Sequence, residues 1–210
     1  MKIPQFSTHA ACLLAAFAAS LLPSLARAAP VTYAIKPGAG QSVRFDARTN
    51  TERYSGHTDQ IEGSVRVDPA NIADHPVATF TVRPASFSTG NGSRDSNMRR
   101  KHLFVDVFPT ATFTLSALDI PAGGAPPLAA GKPVTGTAHG TLTLHGVTRT
   151  VVPTITVTRE RDAATGRDAL HIVAAFVVRL DDYRIPTPRF LFITVKQDHP
   201  VTVDIRAVAP

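Results

Sequence analysis

Alternation of apolar and polar residues dominates the chain beyond Pro30. Val43, Phe45 and Ala47, for example, alternate with charged neighbours. A period of two is typical of a β-strand that buries one face, because successive side chains on a strand point to opposite sides. The pattern recurs in about nine segments, which begin at Val31, Val43, Ile61, Ala78, Ala111, Leu142, Val151, Leu170 and Val201. The chain is therefore predicted to be all-β.

Three segments depart from this alternation. The segment from Leu170 to Leu180 is apolar at both parities, which predicts a strand covered on both faces. The stretch from Ser93 to Phe108 is charged and does not alternate, and we expect Ser93 to cap a short helix that runs to Lys101. The segment from Pro121 to Pro133 is rich in proline, glycine and alanine and is predicted to form a surface loop.

The predicted strands have no long amphipathic helix to cover them. A chain of this kind buries its apolar faces either by closing into a barrel or by packing two sheets face to face. Strands of the same kind resume on both sides of the two irregular loops, so neither loop is interpreted as a domain boundary.

The N-terminus has the features of a secretory signal peptide. Lys2 precedes an apolar run from Ala10 to Leu22, and Pro23 and the small-x-small sequence Ala26-Arg27-Ala28 follow it. The run is short for a membrane span, which needs about 20 apolar residues. We therefore expect cleavage after Ala28 on export to the periplasm, no permanent membrane anchor, and a single domain over residues 29–210.

Composition and charge narrow the function further. Cys12 is the sole cysteine and lies in the predicted signal segment, so no disulfide is expected. The net charge of +6 falls by two when Lys2 and Arg27 are removed, which weakens the case for nucleic acid. The densest basic run, Arg99-Arg100-Lys101-His102, is interpreted as a solvated helix face, with an anionic head group or an RNA phosphate as alternative partners. Nucleic-acid modules interleave such charge with exposed aromatic residues, and no nucleic-acid partner is expected here.

Side chains that support catalysis or metal binding do not form a recognisable set. His139 and His145 have no third ligand at metal-binding spacing, and Ser86 and Ser88 lack a nucleophile-elbow context. The adjacent pair Asp181-Asp182 would point to opposite faces of a strand, so a strand end or a turn is the preferred interpretation. The sequence predicts neither an enzyme nor a metal site.

Three sequence blocks, residues 42–63, 86–113 and 140–148, together resemble the YceI-like family of bacterial periplasmic proteins. The most specific block contains Ser86-Phe87-Ser88-Thr89-Gly90-Asn91, Arg94-Asp95, Phe104 and Phe108-Pro109-Thr110-Ala111-Thr112-Phe113. The second block, residues 140–148, is similar almost residue for residue to the family's G-x-L-T-L-H-G-V-T hairpin. The third is Ser42-Val43-Arg44-Phe45, followed by Gly56 and Gly63. Together the blocks extend the resemblance over most of the predicted mature chain.

The resemblance implies an antiparallel, lipocalin-like β-barrel of about eight strands with the short helix in its long connecting loop. Its apolar lumen would hold an isoprenoid, a quinone or another amphipathic lipid, and no cofactor is expected. We expect ligand contacts from Phe45, Phe80, Phe113, Leu142 and Phe176, with Phe104 and Phe108 at the edge. Arg99, Arg100 and Lys101 would meet a polar head group, and Arg94, Asp95, His145 and Gly146 are expected to have structural roles.

Three functions are hypotheses at this point. The first is a periplasmic carrier that binds a lipid without catalysis. The second is a structural or partner-binding barrel with a filled core, which would associate with a quinone-using membrane cytochrome. The third is an enzyme that acts on a lipid bound in the lumen. The volume of the interior distinguishes the first from the second, and a homodimer stays open in each case.

Overall fold

The computed structural model describes residues 29–121, 127–190 and 192–210. The predicted signal segment and residues 122–126 of the predicted surface loop lie outside the described residues.

Strands make up most of the described chain, joined by short turns and one helical segment. They are β1 (Val31–Ile35), β2 (Ser42–Arg48), β3 (Arg53–Thr58), β4 (Ile61–Val67), β5 (Val77–Val82), β6 (Ala111–Asp119), β7 (Pro133–Leu144), β8 (Val147–Val151), β9 (Thr154–Arg161), β10 (Asp168–Arg179), β11 (Arg189–Phe190), β12 (Ile193–Thr194) and β13 (Asp198–Val208). The helix α1 (Gly92–Asn97) continues into a π-helical turn, Met98–His102, and single 3₁₀ turns span Pro84–Ser86 and Leu180–Tyr183.

Eight strand positions close into an antiparallel barrel, as the resemblance implied. The order around the barrel is β1-β4-β5-β6-β7-β9-β10-β13, and β13 returns to β1 through the pair Ala34 and Val208. One edge of β13 pairs with β10 along its whole length, so β1 and β2 share the other edge. In the same way, β8 and β9 pair with different parts of one edge of β7. β3 pairs with the outer edge of β2, and β4 pairs with the outer edge of β1. The strands β2, β3 and β8 therefore extend the wall at one end of the barrel, which we call the mouth.

The alternation in the sequence places the apolar core inside this wall. Tyr33 and Ile35 of β1 and Ile205 and Ala207 of β13 are buried, whereas the residues between them face outward and are more exposed. Threonines occupy many outward positions, and the hydroxyls of Thr143 and Thr148, for example, lie 2.8 Å apart across β7 and β8.

Two local predictions were wrong. The segment from Leu170 to Leu180 is covered on its inner face alone, and Val177 on the outer face is 57% exposed. A strand in the wall of a single-layered barrel has a core on one side and solvent on the other. The cap of α1 is Asn91 rather than Ser93. The Asn91 side chain accepts a hydrogen bond of 3.0 Å from the backbone N–H of Arg94, while Ser93 already lies in the first turn.

The turn between β7 and β8 consists of His145 and Gly146. Both have a positive φ, 52° and 72°, and Leu144 pairs directly with Val147. This is the geometry of a two-residue hairpin turn whose central residues are left-handed, which matches the twist of the flanking strands. Glycine is the favoured residue in this conformation.

Candidate functional site: an apolar cavity open at the mouth of the barrel

A cavity of about 720 Å³ occupies the mouth end of the barrel. Apolar side chains from several strands form its inner wall, and polar residues from α1 and the surrounding loops form its rim. Lining residues include Val43, Phe45, Tyr54, Phe87, Arg94, Lys101, Leu142, Phe176, Leu180, Arg189, Val195 and His199. The exposed rim residues, such as Glu52 and Lys101, connect the cavity with solvent.

A second cavity of about 140 Å³ lies deeper in the barrel. Every side chain that lines it is apolar, and Val43, Val82, Phe176 and Val201 border both cavities. The two spaces therefore adjoin inside one apolar lumen, with polar groups confined to the mouth end.

Five of the residues predicted to contact a ligand lie on these walls. Phe45 and Leu142 line the larger cavity, Phe80 and Phe113 line the deeper one, and Phe176 lines both. Phe80 and Phe113 form a direct cross-strand pair, and their rings stack at a centroid distance of 6.1 Å. The period-two pattern placed Phe45, Phe80, Phe113 and Leu142 on the apolar face of their strands, whereas the segment of Phe176 is apolar at both parities; the barrel brings all five together.

Glycines on neighbouring strands make room for two of these rings. Phe45 pairs with Gly56 across β2 and β3, and a β-carbon at position 56 would overlap the Phe45 ring. A β-carbon at Gly140 would likewise lie 2.5 Å from the Phe113 ring. The rings lie over the bare backbone of the next strand, an arrangement known from other sheets in which an aromatic residue covers a strand glycine.

Phe104 and Phe108, predicted at the edge of the ligand site, line neither cavity. Both follow the π-helical turn and pack against His145, with ring centroids 5.6 Å and 4.6 Å from its imidazole. His145 Nδ1 lies 3.0 Å from the carbonyl oxygen of Tyr183, and Phe108 also contacts the turn glycine, Gly146. The two rings therefore pack on the β7–β8 turn and not at the edge of the cavity, where they were predicted.

The three basic residues predicted to meet a head group separate in the structure. Lys101 lines the larger cavity at its rim. Arg100 is exposed and does not line it, and Arg99 turns back to donate a hydrogen bond of 3.0 Å from Nη2 to the carbonyl oxygen of Phe87. Successive residues of a helical turn point in different directions, so these three consecutive cations cannot all face one cavity.

Arg94, predicted as a structural residue, lies on the rim of the same cavity. Its guanidinium stacks 4.0 Å above the Tyr54 ring, and Nη1 is 3.2 Å from Glu52 Oε1. Its Nε donates to Thr89 Oγ1 at 2.9 Å. These contacts tie α1 to β3 and to the loop before the helix.

Asp95 is buried beneath α1. It accepts hydrogen bonds from the Thr89 backbone N–H at 2.9 Å and from the hydroxyls of Thr89 and Ser88. Burial opposes ionisation of the carboxyl group, but these hydrogen bonds outweigh burial and lower the pKa of Asp95. An ionised Asp95 therefore fastens the loop of residues 88–91 to the helix that borders the mouth.

His199 belongs to the cavity wall but was not among the predicted site residues. It is the first inward residue of β13, it is 8% exposed, and it lines the larger cavity. Its parity matches Val201, Val203 and Ile205, a signal that was present in the sequence. Pro200 interrupts the apolar pattern next to His199, so the alternation predicts an inward face only from Val201 onward.

Two further features concern metals and membranes. Within the described ranges, no three His, Cys, Asp or Glu side chains come together as a metal-binding group. In the same part of the chain, none of the helices has the length and apolar character needed to cross a membrane.

The closed antiparallel barrel and its apolar cavity define the class of lipocalin-like barrels. Comparison with family models narrows the class: the YceI-like domain matches residues 33–209, and the chain belongs to that family. No curated protein matches the chain.

Solved structures share the fold at low sequence identity. BcnA from Burkholderia cenocepacia is 22% identical with a TM-score of 0.64, and the match covers 81% of this chain and 98% of that one. A polyisoprenoid-binding domain from Saccharophagus degradans, implicated in plant cell wall breakdown, is 17% identical with a TM-score of 0.65 over 86% of this chain and 99% of its own. The YceI protein of Campylobacter jejuni is 18% identical with a TM-score of 0.58, covering 73% and 83% of the two chains.

Proposed function

We propose that this protein is a periplasmic carrier that holds an isoprenoid, a quinone or a similar amphipathic lipid in the barrel lumen, without catalysis. The observation that carries this proposal is the pair of adjoining cavities, of which the inner is lined by apolar side chains alone. Such a lumen favours a ligand with a long apolar chain and a polar end near the mouth.

The energetics agree with this choice of ligand. A volume of about 720 Å³ lies within the range of cavities that bind small molecules. An apolar chain gains roughly 25 cal/mol for each Å² that it removes from water, so a slender lipid binds well with few polar contacts. The polyisoprenoid-binding domain of Saccharophagus degradans shares the fold, and it is the reason to choose isoprenoids among apolar ligands.

A filled, purely structural barrel is the second candidate, and the interior volume argues against it. In that case the phenylalanine side chains would block the lumen. Instead, the Phe45 ring lies over Gly56 and the Phe113 ring lies over Gly140. Both rings therefore lie against the wall and leave the interior of the barrel open.

Lipid extraction tests the proposal. The protein is purified without detergent from the periplasmic fraction, and the organic extract is analysed by mass spectrometry. We expect an isoprenoid lipid in near-stoichiometric amount. A protein that is empty and also takes up neither quinones nor polyprenols contradicts the proposal.

Export is tested on the same material. Removal of residues 1–28 predicts a mature N-terminus at Ala29, which N-terminal sequencing detects. A full-length chain recovered from the cytoplasmic fraction contradicts the periplasmic location.

A further inference from the structure

His199 lines the larger cavity, and one of its ring nitrogens is buried and unpaired. The residue is 8% exposed, and its Nε2 is buried without a hydrogen-bond partner among the residues that the structure describes. A buried polar atom without a partner costs free energy, so such an atom calls for an explanation. A ligand in the cavity supplies one.

The surroundings of the imidazole leave it neutral. Burial lowers the pKa of His199, and the carbonyl groups of Lys196 and Asp46 and the carboxylate of Asp198 compensate only in part. On the other side of the ring, Phe45 contacts it edge-on at a centroid distance of 6.2 Å. Because the N–H of a neutral ring serves the carbonyl oxygens of Lys196 and Asp46, the unpaired Nε2 can only accept a hydrogen bond, and it brings no charge to attract an anion.

The charged groups of the mouth lie farther out. Arg94 is already paired with Glu52 and stacked on Tyr54, and Lys101 and Arg189 are exposed at the rim. An anionic head group would therefore stay with these cations in solvent rather than beside His199.

The position of His199 on β13 determines how much of the lumen lies beyond it. The next inward residue after His199 is Val201, which borders both cavities, and Val203 and Ile205 continue into the deeper one. From residue 199 to residue 205 a strand advances roughly 20 Å. A polar group held at His199 thus leaves the whole inner lumen to an apolar chain.

We propose that His199 Nε2 accepts a hydrogen bond from a neutral hydroxyl at the polar end of the lipid, and that the isoprenoid chain extends past Val201 into the deeper cavity. This inference rests on the proposed function. It assigns prenols as ligands in preference to quinones, which carry no hydrogen-bond donor, and to prenyl diphosphates, which are charged.

Four probes with the same number of isoprene units test the polar end separately from the chain. They are farnesol, ubiquinone with three isoprene units, farnesyl diphosphate and the hydrocarbon farnesene. Affinities for the wild-type protein and for His199→Leu are measured by equilibrium dialysis with mass-spectrometric quantification. The matched control is His139→Leu, the same exchange on the outer face of β7, away from both cavities.

In the wild type, farnesol should bind at least about fivefold more tightly than farnesene, the ratio that one net hydrogen bond gives, and the quinone, which has no donor, should gain no such hydrogen bond. His199→Leu should remove this advantage and leave farnesene binding unchanged, whereas His139→Leu should preserve it. His199→Gln, which retains a hydrogen-bonding side chain, should recover part of the advantage.

Each contrary result has a distinct meaning. Equal preference for farnesol in wild type and His199→Leu overturns the role of His199 but leaves the carrier function in place. Tighter binding of farnesyl diphosphate that depends on Lys101 overturns the neutral head group. Failure of all four probes to bind the wild type defeats the carrier function, and the inference with it.

A measurement on the unaltered protein covers the case in which the variants do not fold. In ¹⁵N-histidine-labelled protein, farnesol should shift the His199 ring nitrogen resonances, and farnesene should shift them much less. Equal shifts with both probes contradict a hydrogen bond at this residue.

Discussion

At the scale of single residues, a glycine shapes the cavity wall. Gly56→Ala should force the Phe45 ring off the backbone of β3 and into the larger cavity, because a β-carbon there overlaps the ring. Overpacking of this kind costs about 1–3 kcal/mol. Urea unfolding should show that loss, and farnesol should bind more weakly in equilibrium dialysis.

Gly92→Ala is the matched control for this change. Gly92 begins α1, and a β-carbon there meets nothing within 4 Å. The free energy of unfolding of Gly92→Ala should equal that of the wild type or exceed it slightly, because alanine has a higher helix propensity than glycine. If Gly56→Ala unfolds and binds like Gly92→Ala, the Phe45 ring is not held in place by that glycine.

Two buried tyrosines should respond in opposite ways to loss of the hydroxyl. Tyr33 donates a hydrogen bond of 2.9 Å to Asp168 Oδ2, whereas the hydroxyl of Tyr183 has no hydrogen-bond partner among the described residues. In urea unfolding, Tyr33→Phe should lose about 1 kcal/mol and Tyr183→Phe should lose little or gain stability. Burial, the main cause, raises the pKa of each phenol to about 12.

The same tyrosines limit the stability of the folded protein at alkaline pH. In the unfolded chain the phenols ionise near pH 10, while the folded protein keeps them neutral up to about 12. Their contribution to stability is complete below pH 10 and is lost as the pH rises toward 12. The decline should be shallower in Tyr183→Phe, and an unchanged slope contradicts this assignment.

At the scale of elements, the helical segment at the mouth depends on Asp95. Asp95→Asn should weaken the hydrogen bonds from Thr89 and Ser88, with a loss of about 1–3 kcal/mol. Amide hydrogen exchange over residues 88–102 should accelerate. The control is Asp106→Asn, at an exposed position after the helix. Equal exchange in both variants contradicts the role of Asp95.

Acid should reproduce this effect in the wild type. Because hydrogen bonds from Thr89 and Ser88 outweigh burial and lower the pKa of Asp95, its contribution is present above the usual carboxyl pKa of 3.8 and is lost as the pH falls through the lowered value. Faster exchange over the same residues should therefore begin only in strong acid.

Local periodicity predicted the strands because each inward position repeats at a period of two. It overstated the cover on β10, since an outer-face residue such as Val177 is apolar without being buried. It missed β3, because the sequence RYSGHT has no apolar alternation. It also missed the β11–β12 hairpin, because two-residue strands between Pro188 and Val195 are too short to show a period. The N-cap was displaced by two residues, because Asn91 and Ser93 are both good capping residues and only the backbone geometry distinguishes them.

At the scale of the whole molecule, closure and the lumen depend on contacts that are distant in sequence. The pair Ala34–Val208 joins the first strand to the last, and no local pattern encodes it. The family resemblance supplied the barrel, and periodicity then placed Phe45, Phe80, Phe113 and Leu142 on its inner face, while the segment of Phe176, apolar at both parities, gave no preference for either face. Phe104 and Phe108 were placed less well because the turn at Phe104, with a φ of 44°, directs both rings toward His145.

A plug in the deeper cavity tests the central claim, that the lumen holds a lipid. Ala174 and Ala175 are neighbours on β10: Ala174 lines the deeper cavity, and Ala175 is exposed on the outer face. Ala174→Phe should fill the inner lumen, while Ala175→Phe adds the same side chain outside.

The measurement is native mass spectrometry of each protein after purification from the periplasm without detergent. The wild type and Ala175→Phe should carry one isoprenoid lipid per chain, and Ala174→Phe, checked for folding by circular dichroism, should carry none or far less. An empty wild type, or equal occupancy in folded Ala174→Phe and Ala175→Phe, would contradict a lipid held in the lumen.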